Sequence, residues 1–462
     1  MISTIPISLD QINILLSSHE SHFLDFKSKE ISPAKLSRTI SGFANSDGGD
    51  IFVGIKEEGN GKLWDGFSEI EDANGIVQLI DEHYVVGDFV DCEFLWSESH
   101  YSYVLKIQVQ KAPAIMRASN NNPYVRKGAQ NTPYTSPEQL RRLELDKGVW
   151  SFEDNRVDVE EEDVANSEVI IEFMLNIVPQ AEPEEWLRKQ KLIRERQPRV
   201  AGVVLFADEP QASLPRTSIK IYRYETDDQN GSRATLAFNP ISVDGPVYNQ
   251  VRAAVEKTAS IIEDISVLRD GDLLQVSYPR EAIHEIITNA LIHRDYSIND
   301  DIHVRIFNNR IEVQSPGRLP GHITRNNILK ERFSRNPKIV RLLNKFPDAP
   351  NKDVGEGLNT AFEAMRALDL KNPEIVEQEN SVLVYIRHEP LAGHEETILA
   401  FLARNGSIGN AKSREICNVN SESIMRKTFK KLIEAGLIER VPEKKGRAAA
   451  YQLTERGRHR VG

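Results

Sequence analysis

Hydrophobic periodicity predicts the clearest helix of the chain in the sequence REAIHEIITNALIHRDYS, at residues 280–297. Starting at Ile283, apolar residues recur at i, i+3, i+4, i+7 and i+8, which is typical of an amphipathic helix. Glu285 and Asn289 lie one turn apart at the edge of the apolar face. Beside a pocket, the Asn289 carbonyl could ligate Mg²⁺ and the Glu285 carboxylate could polarise water. The alternative is a polar pair on a surface helix.

The residues after this helix alternate as strands and then change to a glycine-rich loop. Strands are predicted over residues 303–309 and 310–317, and the second ends in a Pro-Gly turn. Gly355 and Gly357 then precede a helical stretch at 360–368. A glycine-rich loop that opens a helix presents backbone N–H groups and a positive dipole end to phosphate.

The N-terminal part of the chain also mixes helix and strand patterns. Ser8 is a candidate N-cap for a short helix that ends at Leu16, and HFLDFK at 22–27 alternates as a strand. A helix is predicted to begin at Ser32-Pro33, and a strand over residues 50–55 follows a turn cluster.

The central part begins with residues 148–166, which are rich in acidic side chains and predict a solvated connector. The apolar run at 200–206 predicts a buried strand, and the alternation at 218–224 predicts a second one. The remaining periodic segments predict helices over 167–177, 183–191 and 246–262.

The last residues predict three short helices followed by a β-hairpin. The helices are expected at 395–404, 411–417 and 421–435, and strands flank the basic sequence PEKKGR. In the third helix one face is apolar (Ile424, Met425, Thr428, Phe429, Leu432 and Ile433) and the other carries Arg426, Lys427, Lys430 and Lys431.

Composition separates this end of the chain from the rest. The 462 residues carry a net charge of −11, which argues against electrostatic binding of nucleic acid by the whole surface. Residues 394–462 hold 14 Lys and Arg against 8 Asp and Glu, whereas the remainder holds 44 against 61. Nucleic-acid contact is therefore expected at one end. Cys92 and Cys417 are too far apart in sequence to suggest a disulfide framework or a zinc motif, and a cytoplasmic protein without signal peptide or membrane span is expected.

Four sequences in order resemble the divergent GHKL module of RecG-like ATP-binding regulators: REAIHEIITNALIHRDYS, SPGRLP, SRNPKIVRLL and VGEGLNTAFEAM. The resemblance covers about residues 275–390. It implies ATP and Mg²⁺ as cofactors, Glu285 as the water-activating base and Asn289 as the Mg²⁺ ligand. It also implies that Gly355 and Gly357 form the second glycine box.

The first box of the GHKL family is D-x-G-x-G, whose acid receives the adenine amino group. This chain has Ser315-Pro316-Gly317 at that place and so lacks the acid, although Ser315 and Gly317 remain candidates for nucleotide contact. Four basic residues lie between the two glycine boxes: Lys330, Arg332, Arg335 and Lys338. They could contact the phosphates of the nucleotide, or they could form a solvated loop or helix face.

The N-terminal part resembles the Schlafen/AlbA-type domain through ESHFLDFK, ISGFANSDGGDIFVGIKEEG and PYVRKGAQNTPYTSPEQLRRL. This resemblance implies nucleic-acid binding, with RNA or tRNA among the candidate ligands. In Schlafen proteins acidic residues hold Mg²⁺ or Mn²⁺ for cleavage, and the matching acids here are Glu20, Asp25 and Glu57, with Lys56 as the alternative third match. The alternative is that these carboxylates lie on the surface of a domain that binds nucleic acid without cleaving it.

Two further groups are candidates for nucleic-acid contact. Tyr124, Arg126 and Lys127 could stack a base and contact a phosphate backbone, or form a solvated loop. The C-terminal helices and hairpin resemble a winged helix-turn-helix, which implies a third helix in the DNA major groove and flanking phosphate contacts from Lys444, Lys445 and Arg447. The alternative is a winged helix used for protein contacts.

The sequence therefore predicts an α+β multidomain protein. The expected domains are a Schlafen/AlbA-type α/β domain at 1–147, an acidic linker and connector at 148–265, a GHKL (Bergerat-type) α/β sandwich at 266–392, and a winged helix at 393–462.

The expected function is ATP-gated DNA binding as in transcriptional regulators, in a homodimer or higher homo-oligomer. The alternative is an ATP-gated, metal-dependent nuclease acting in phage defence. A helicase is excluded because no G-x-x-x-x-G-K-[ST] phosphate loop occurs.

Overall fold

The computed structural model describes ten stretches of the chain: residues 2–59, 61–84, 89–269, 272–275, 278–350, 357–368, 370–388, 394–416, 422–441 and 450–461. These fall into two compact units. The first contains Met1–Glu363 and Pro373–Ile386, and the second contains Ala364–Asn372 and Arg387–Gly462.

The N-terminal module of the first unit is a five-stranded mixed sheet with helices on it. Its strand order is β1-β6-β7-β3-β2, with β1 parallel to β6 and β2 parallel to β3. The elements are β1 (Ser3–Pro6), α1 (Leu9–Ser17), β2 (Leu24–Lys27), α2 (Pro33–Ala44), β3 (Gly49–Val53), β4 (Ile55–Glu58), β5 (Gly61–Trp64), α3 (Asn74–His83), β6 (Val90–Ser97), β7 (Ser102–Val109), β8 (Tyr124–Lys127), β9 (Gln130–Pro133) and α4 (Pro137–Lys147).

The local signals in this module act as the sequence predicts. The hydroxyl of Ser8 accepts a hydrogen bond from the Gln11 N–H, so Ser8 is the N-cap of α1. Leu36, Ile40 and Phe43 on α2 are fully buried in the core against the sheet. The turn after α2 needs glycine, because a Cβ on Gly49 would lie 2.4 Å from the Phe43 ring.

Residues 148–166, predicted to be a solvated connector, are partly buried and include a short helix. The central region contains α5 (Glu161–Ala165), α6 (Glu168–Ile177), α7 (Pro183–Lys189), β10 (Ile193–Arg194), β11 (Gln197–Pro198) and α8 (Val200–Phe206). Two acids of the predicted linker are buried: Glu153 is 1% exposed and Glu161 is 3% exposed. Glu161 is paired with Arg188 at 2.6 Å, which offsets the cost of burying its charge.

The strand predicted over residues 200–206 is wrong, since these residues form α8. All seven are buried. An apolar run that is buried on every side carries no periodicity, so its sequence pattern cannot distinguish a strand from a helix.

A six-stranded sheet forms the rest of the first unit, in the order β13-β12-β16-β17-β19-β18. Strand β12 of the central region pairs in parallel with β16, so the central region continues this sheet. The elements are β12 (Ile219–Arg223), β13 (Ile241–Val243), α9 (Val247–Glu263), β14 (Ser266–Arg269), β15 (Asp272–Gln275), α10 (Arg280–Ile292), β16 (Ile302–Ile306), β17 (Arg310–Pro316), α11 (Pro337–Leu343), α12 (Gly357–Ala367), β18 (Glu374–Glu377) and β19 (Ser381–Arg387).

The second unit contains the helices and small sheet expected of a winged helix. Its elements are α13 (His394–Asn405), β20 (Ile408–Gly409), α14 (Asn410–Ile416), α15 (Glu422–Glu434), β21 (Ile438–Arg440), β22 (Ala450–Leu453) and α16 (Glu455–Val461). Met425, Phe429 and Leu432 of α15 are buried in its core, whereas Ile433, predicted for the same face, is 45% exposed. The mixed α+β fold class is confirmed. Helix α16 was not predicted. Among the described helices, none has the length and apolar content that crossing a membrane requires.

Candidate nucleotide site

A cavity of about 390 Å³ lies between α10 and strands β17 and β19. Its volume is within the roughly 300–1,000 Å³ of typical small-molecule sites. Apolar side chains of the sheet, such as Val313, Val382 and Val384, line one side of it. We call residues 317–335, several of which line the cavity, the roof segment.

Glu285 and Asn289 of α10 both line this cavity, as their spacing on one helix face predicts. The Asn289 amide donates a hydrogen bond of 2.6 Å to the Glu285 carboxylate. Burial raises the pKa of Glu285, although the hydrogen bond from Asn289 opposes the shift. A half-buried carboxylate with a raised pKa is a stronger proton acceptor than an exposed one.

Ser315 and Gly317 also line the cavity, but both residues have structural roles as well. The Ser315 hydroxyl donates to the Ala290 carbonyl at 2.7 Å, which ties β17 to α10. Gly317 has a φ of +101°, and a Cβ there would lie 2.6 Å from Cβ of Asp295. The turn therefore requires glycine for close packing. No residue at positions 315–317 corresponds to the Asp of the first GHKL box.

Arg335 does not line the cavity, so its predicted phosphate contact is not supported. Its side chain is 4% exposed and is paired with Asp295 at 3.3 Å. It also donates to the carbonyls of Leu145 and Arg318. A guanidinium that satisfies a buried carboxylate and two carbonyls would leave those groups unpaired if it moved.

Other residues of the cavity wall were not singled out from the sequence. They are His293, Arg318, Glu331 and Ser334, whereas Arg332, which also lines the wall, belongs to the basic set predicted from the sequence. Burial, with a smaller effect of the Arg335 charge, lowers the pKa of His293 to about 4. His293 follows Asn289 by four residues, so the helical spacing that paired Glu285 with Asn289 also indicates His293.

The predicted second glycine box falls partly outside the described residues. Gly355 is not described, whereas Gly357 is the first residue of α12. The next residue, Leu358, lines the cavity. The helix that follows the glycine box therefore begins at the cavity wall.

The roof segment is attached to the N-terminal module by several polar contacts. Arg318 pairs with Asp47 at 2.7 Å, and the Lys111 ammonium donates to the carbonyls of Leu319 and Ile323 at 2.9 and 3.1 Å. The Gly321 N–H donates to the Asp146 carbonyl at 2.9 Å. The cavity roof is thus held in part by the N-terminal module.

Asp47 is the centre of these contacts. Its carboxylate also accepts a hydrogen bond of 2.6 Å from His22. Burial alone would raise the pKa of Asp47, but the bond from His22 and the charges of Arg318 and Lys111 bring it well below its usual value. Asp47 is therefore ionised and pairs with the roof segment at neutral pH.

Glu20 and Asp25 of the predicted acidic trio lie together, since both pair with the Lys27 ammonium, at 3.4 and 2.5 Å. Asp25 is buried and pairs with Arg126 at 3.1 Å, while Glu20 accepts from the Phe26 N–H at 3.1 Å. Burial and a hydrogen bond to Glu20 raise the pKa of Asp25 to about 6. Glu57 is exposed on β4. In the described part of the chain, no three His, Cys, Asp or Glu side chains form a group that could hold a metal ion.

The predicted contact of Tyr124 and Arg126 with nucleic acid is also contradicted by their burial. Tyr124 is 7% exposed and Arg126 is 1% exposed. The Arg126 guanidinium lies 4.5 Å from the Phe43 ring centroid and donates to the carbonyls of Ser21 and Leu24. Only Lys127 of the predicted set is exposed.

The basic face of α15 is exposed as predicted, with Arg426, Lys427, Lys430 and Lys431 all at the surface. Three of them pair with neighbouring acids: Arg426 with Glu422 at 2.6 Å, Lys430 with Glu434 at 3.7 Å, and Lys431 with Glu395 at 3.5 Å. Exposed pairs of this kind exchange readily for phosphate contacts, because they contribute little stability. Lys444, Lys445 and Arg447 lie outside the described residues.

Comparison with protein families finds three matching segments. Residues 20–135 match the family described as "Schlafen, AlbA_2". Residues 299–386 match "Putative ATP-dependent DNA helicase recG C-terminal", and residues 391–457 match "Winged helix DNA-binding domain". All three suspected modules are matched, in the predicted order. The middle match begins after α10, so it does not include Glu285 and Asn289.

No curated protein matches the chain. Among solved structures, the DIP2311 protein from Corynebacterium diphtheriae is similar, with 18% sequence identity, coverage of 98% of both chains and a TM-score of 0.40.

Proposed function

We propose that the protein is an ATP-responsive DNA-binding regulator. The cavity between α10 and the sheet is the nucleotide site, and the winged helix contacts duplex DNA. The observation that carries the proposal is the cavity itself, which combines an apolar wall with Glu285 and Asn289 and has a roof held by another module.

The residues present fit a nucleotide with its divalent cation. Asn289 would supply an oxygen ligand of the kind that Mg²⁺ prefers, and the apolar strands β17 and β19 give a surface for the base. Mg²⁺ held there would neutralise phosphate charge. Glu285 holds a proton-accepting carboxylate beside it, which suits the orientation of a water molecule.

Gating follows from the attachments of the roof segment. A ligand bound beneath the roof segment would stabilise one conformation of that segment. The polar contacts between the roof segment and the N-terminal module would then transmit this change to the N-terminal module. We propose that the winged helices respond to this change across a homodimer. The nuclease alternative is not proposed, because the Asp25 carboxylate is buried and paired with Lys27 and Arg126, whereas Glu57 is exposed.

The test uses full-length protein with Asn289→Ala, and with Asn176→Ala as the control. Asn176 is an exposed helical asparagine outside the cavity. Calorimetry should detect Mg²⁺-dependent ATP binding in the wild type and the control, and a loss of at least tenfold in affinity in Asn289→Ala. Equal affinity in all three proteins would place ATP elsewhere, and no binding would refute the proposal.

A further inference from the structure

A second, larger cleft lies on the other side of the roof segment, and we call it the intermodule cleft. One wall belongs to the N-terminal module and includes Lys127 and Tyr134, and the facing wall includes Arg325 and Lys330. Its volume is about 1450 Å³, which exceeds the roughly 300–1,000 Å³ of a small-molecule pocket. An extended ligand therefore fits it better than a single nucleotide.

Most charged groups deep in this cleft satisfy one another. Arg318 is paired with Asp47 at 2.7 Å and with Glu377 at 3.1 Å, and Arg142 is paired with Asp146 at 2.5 Å. The Lys147 ammonium is buried and donates to two backbone carbonyls at 2.7 Å. The Arg318–Asp47 pair joins the two walls, and the other contacts are made within one wall. Each of these cations is therefore already engaged with a carboxylate or a carbonyl.

Three cations of the cleft differ from this set. Lys127, Arg325 and Lys330 are exposed, and none has a carboxylate partner among the residues that the structure describes. The Lys127 ammonium lies 5.8 Å from the ring centroid of Tyr134, which is half-buried. The two walls thus present three cations without an ion-pair partner together with an aromatic ring, and the exposed carboxylates of Glu331 and Glu379 line the same cleft.

We propose that the intermodule cleft binds a single-stranded segment of nucleic acid, with its phosphates on Lys127, Arg325 and Lys330 and a base against Tyr134. Cations that follow a backbone and an aromatic ring that stacks a base are the two components of single-strand recognition. In a duplex the faces of the bases are stacked on one another, so a Tyr134 ring finds a partner only in a single strand.

This site is separate from the one proposed for duplex DNA, which lies on α15 of the second unit. It also differs from the nucleotide cavity, although Arg318, Leu319 and Glu331 line both spaces. The strand-binding proposal does not depend on ATP, and it can therefore fail or succeed independently of the function proposed above.

The test measures fluorescence anisotropy of labelled oligo-dT and oligo-U with full-length protein, without nucleotide. Lys127→Glu, Arg325→Glu and Lys330→Glu should each weaken strand binding by about tenfold and lower the slope of log affinity against log salt by about 0.7. Lys35→Glu and Lys257→Glu are matched controls, because both lysines are exposed and lie outside the cleft. They should leave affinity and slope unchanged.

A further variant, Tyr134→Leu, separates stacking from charge. It should weaken binding by about tenfold without changing the salt slope, since it removes no phosphate contact. Circular dichroism checks that each variant is folded, and the duplex affinity of each should equal that of the wild type.

Four results would overturn the proposal. One is that no strand binds, and another is that the control variants lose as much affinity as the cleft variants. The third is loss of strand binding only in Lys427→Glu, which would place the strand on the winged helix. The fourth is that poly-glutamate displaces the strand as well as unlabelled oligonucleotide does, which would assign the cleft to an acidic protein partner.

Discussion

Arg126 shows how a residue that looks functional in the sequence can be a structural one. Its neighbours in YVRKG suggest a phosphate contact, but the guanidinium is buried, pairs with Asp25 and donates to the carbonyls of Ser21 and Leu24. The sequence alone gives no sign of this, because burial of an arginine depends on a carboxylate that lies 101 residues away in the chain.

We expect Arg126→Ala to lower the free energy of unfolding by about 3 kcal/mol, because it removes one of the two cations that pair with the buried Asp25 carboxylate and leaves only Lys27. Lys127→Ala, at the next and exposed position, should cost less than about 0.5 kcal/mol. Urea denaturation measures both values. The double variant Asp25→Ala with Arg126→Ala should lose less than the sum of the single losses. Additive losses would show that the pair does not interact.

At the scale of elements, periodicity predicted most helices and strands, and the failures have physical causes. The apolar segment at 200–206 is helical because it is buried all round, and the acidic stretch at 148–166 is folded because Glu153 and Glu161 have partners. Helix α10 places Glu285, Asn289 and His293 on the cavity wall, and helical spacing was sufficient to find the first two.

Glu153 positions helix α11, which lines the cavity through Val340. Its carboxylate accepts hydrogen bonds from the N–H groups of Lys338 at 2.9 Å and Ile339 at 3.0 Å, in the first turn of α11. Burial raises the pKa of Glu153 to about 7, although these two bonds oppose the shift.

The pKa of Glu153 leads to a prediction about pH. A carboxyl whose pKa is higher in the folded state than the usual 4.5 holds its proton longer than in the unfolded chain, so it destabilises the fold as pH rises from about 4.5 to 7. Glu153→Gln removes this titration. Thermal denaturation across that range should show the variant gaining stability relative to the wild type as pH rises. A constant difference between the two proteins would be inconsistent with a raised pKa.

At the scale of the whole molecule, the sequence predicted which modules occur and in what order. It did not predict how the roof segment is attached to the N-terminal module. In the sequence, Lys111, Arg142 and Lys147 resemble ordinary surface charges. Only the fold brings Lys111 to the roof segment, Arg142 to Asp295 and Lys147 to backbone carbonyls. Pairings over such separations leave no periodic signal in a single chain.

Asp47 is the residue through which this attachment can be weakened. Asp47→Asn removes the charge that holds Arg318, so the roof segment should close less firmly and ATP affinity should fall about three- to tenfold, equivalent to the roughly 1 kcal/mol expected for a partly buried ion pair. Asp10→Asn, at an exposed site of the same module, is the control. Calorimetry measures both affinities, and an unchanged affinity in Asp47→Asn would separate the roof segment from nucleotide binding.

We propose that ATP and duplex DNA bind to one protein and that each changes the affinity for the other. The most direct test is the affinity of the whole chain for a mixed-sequence duplex with and without ATP and Mg²⁺, together with the affinity for ATP with and without the duplex. We expect that both affinity ratios differ from one, that they are equal, as linkage requires, and that both return to one in Asn289→Ala. ATP binding that leaves duplex affinity unchanged would contradict it.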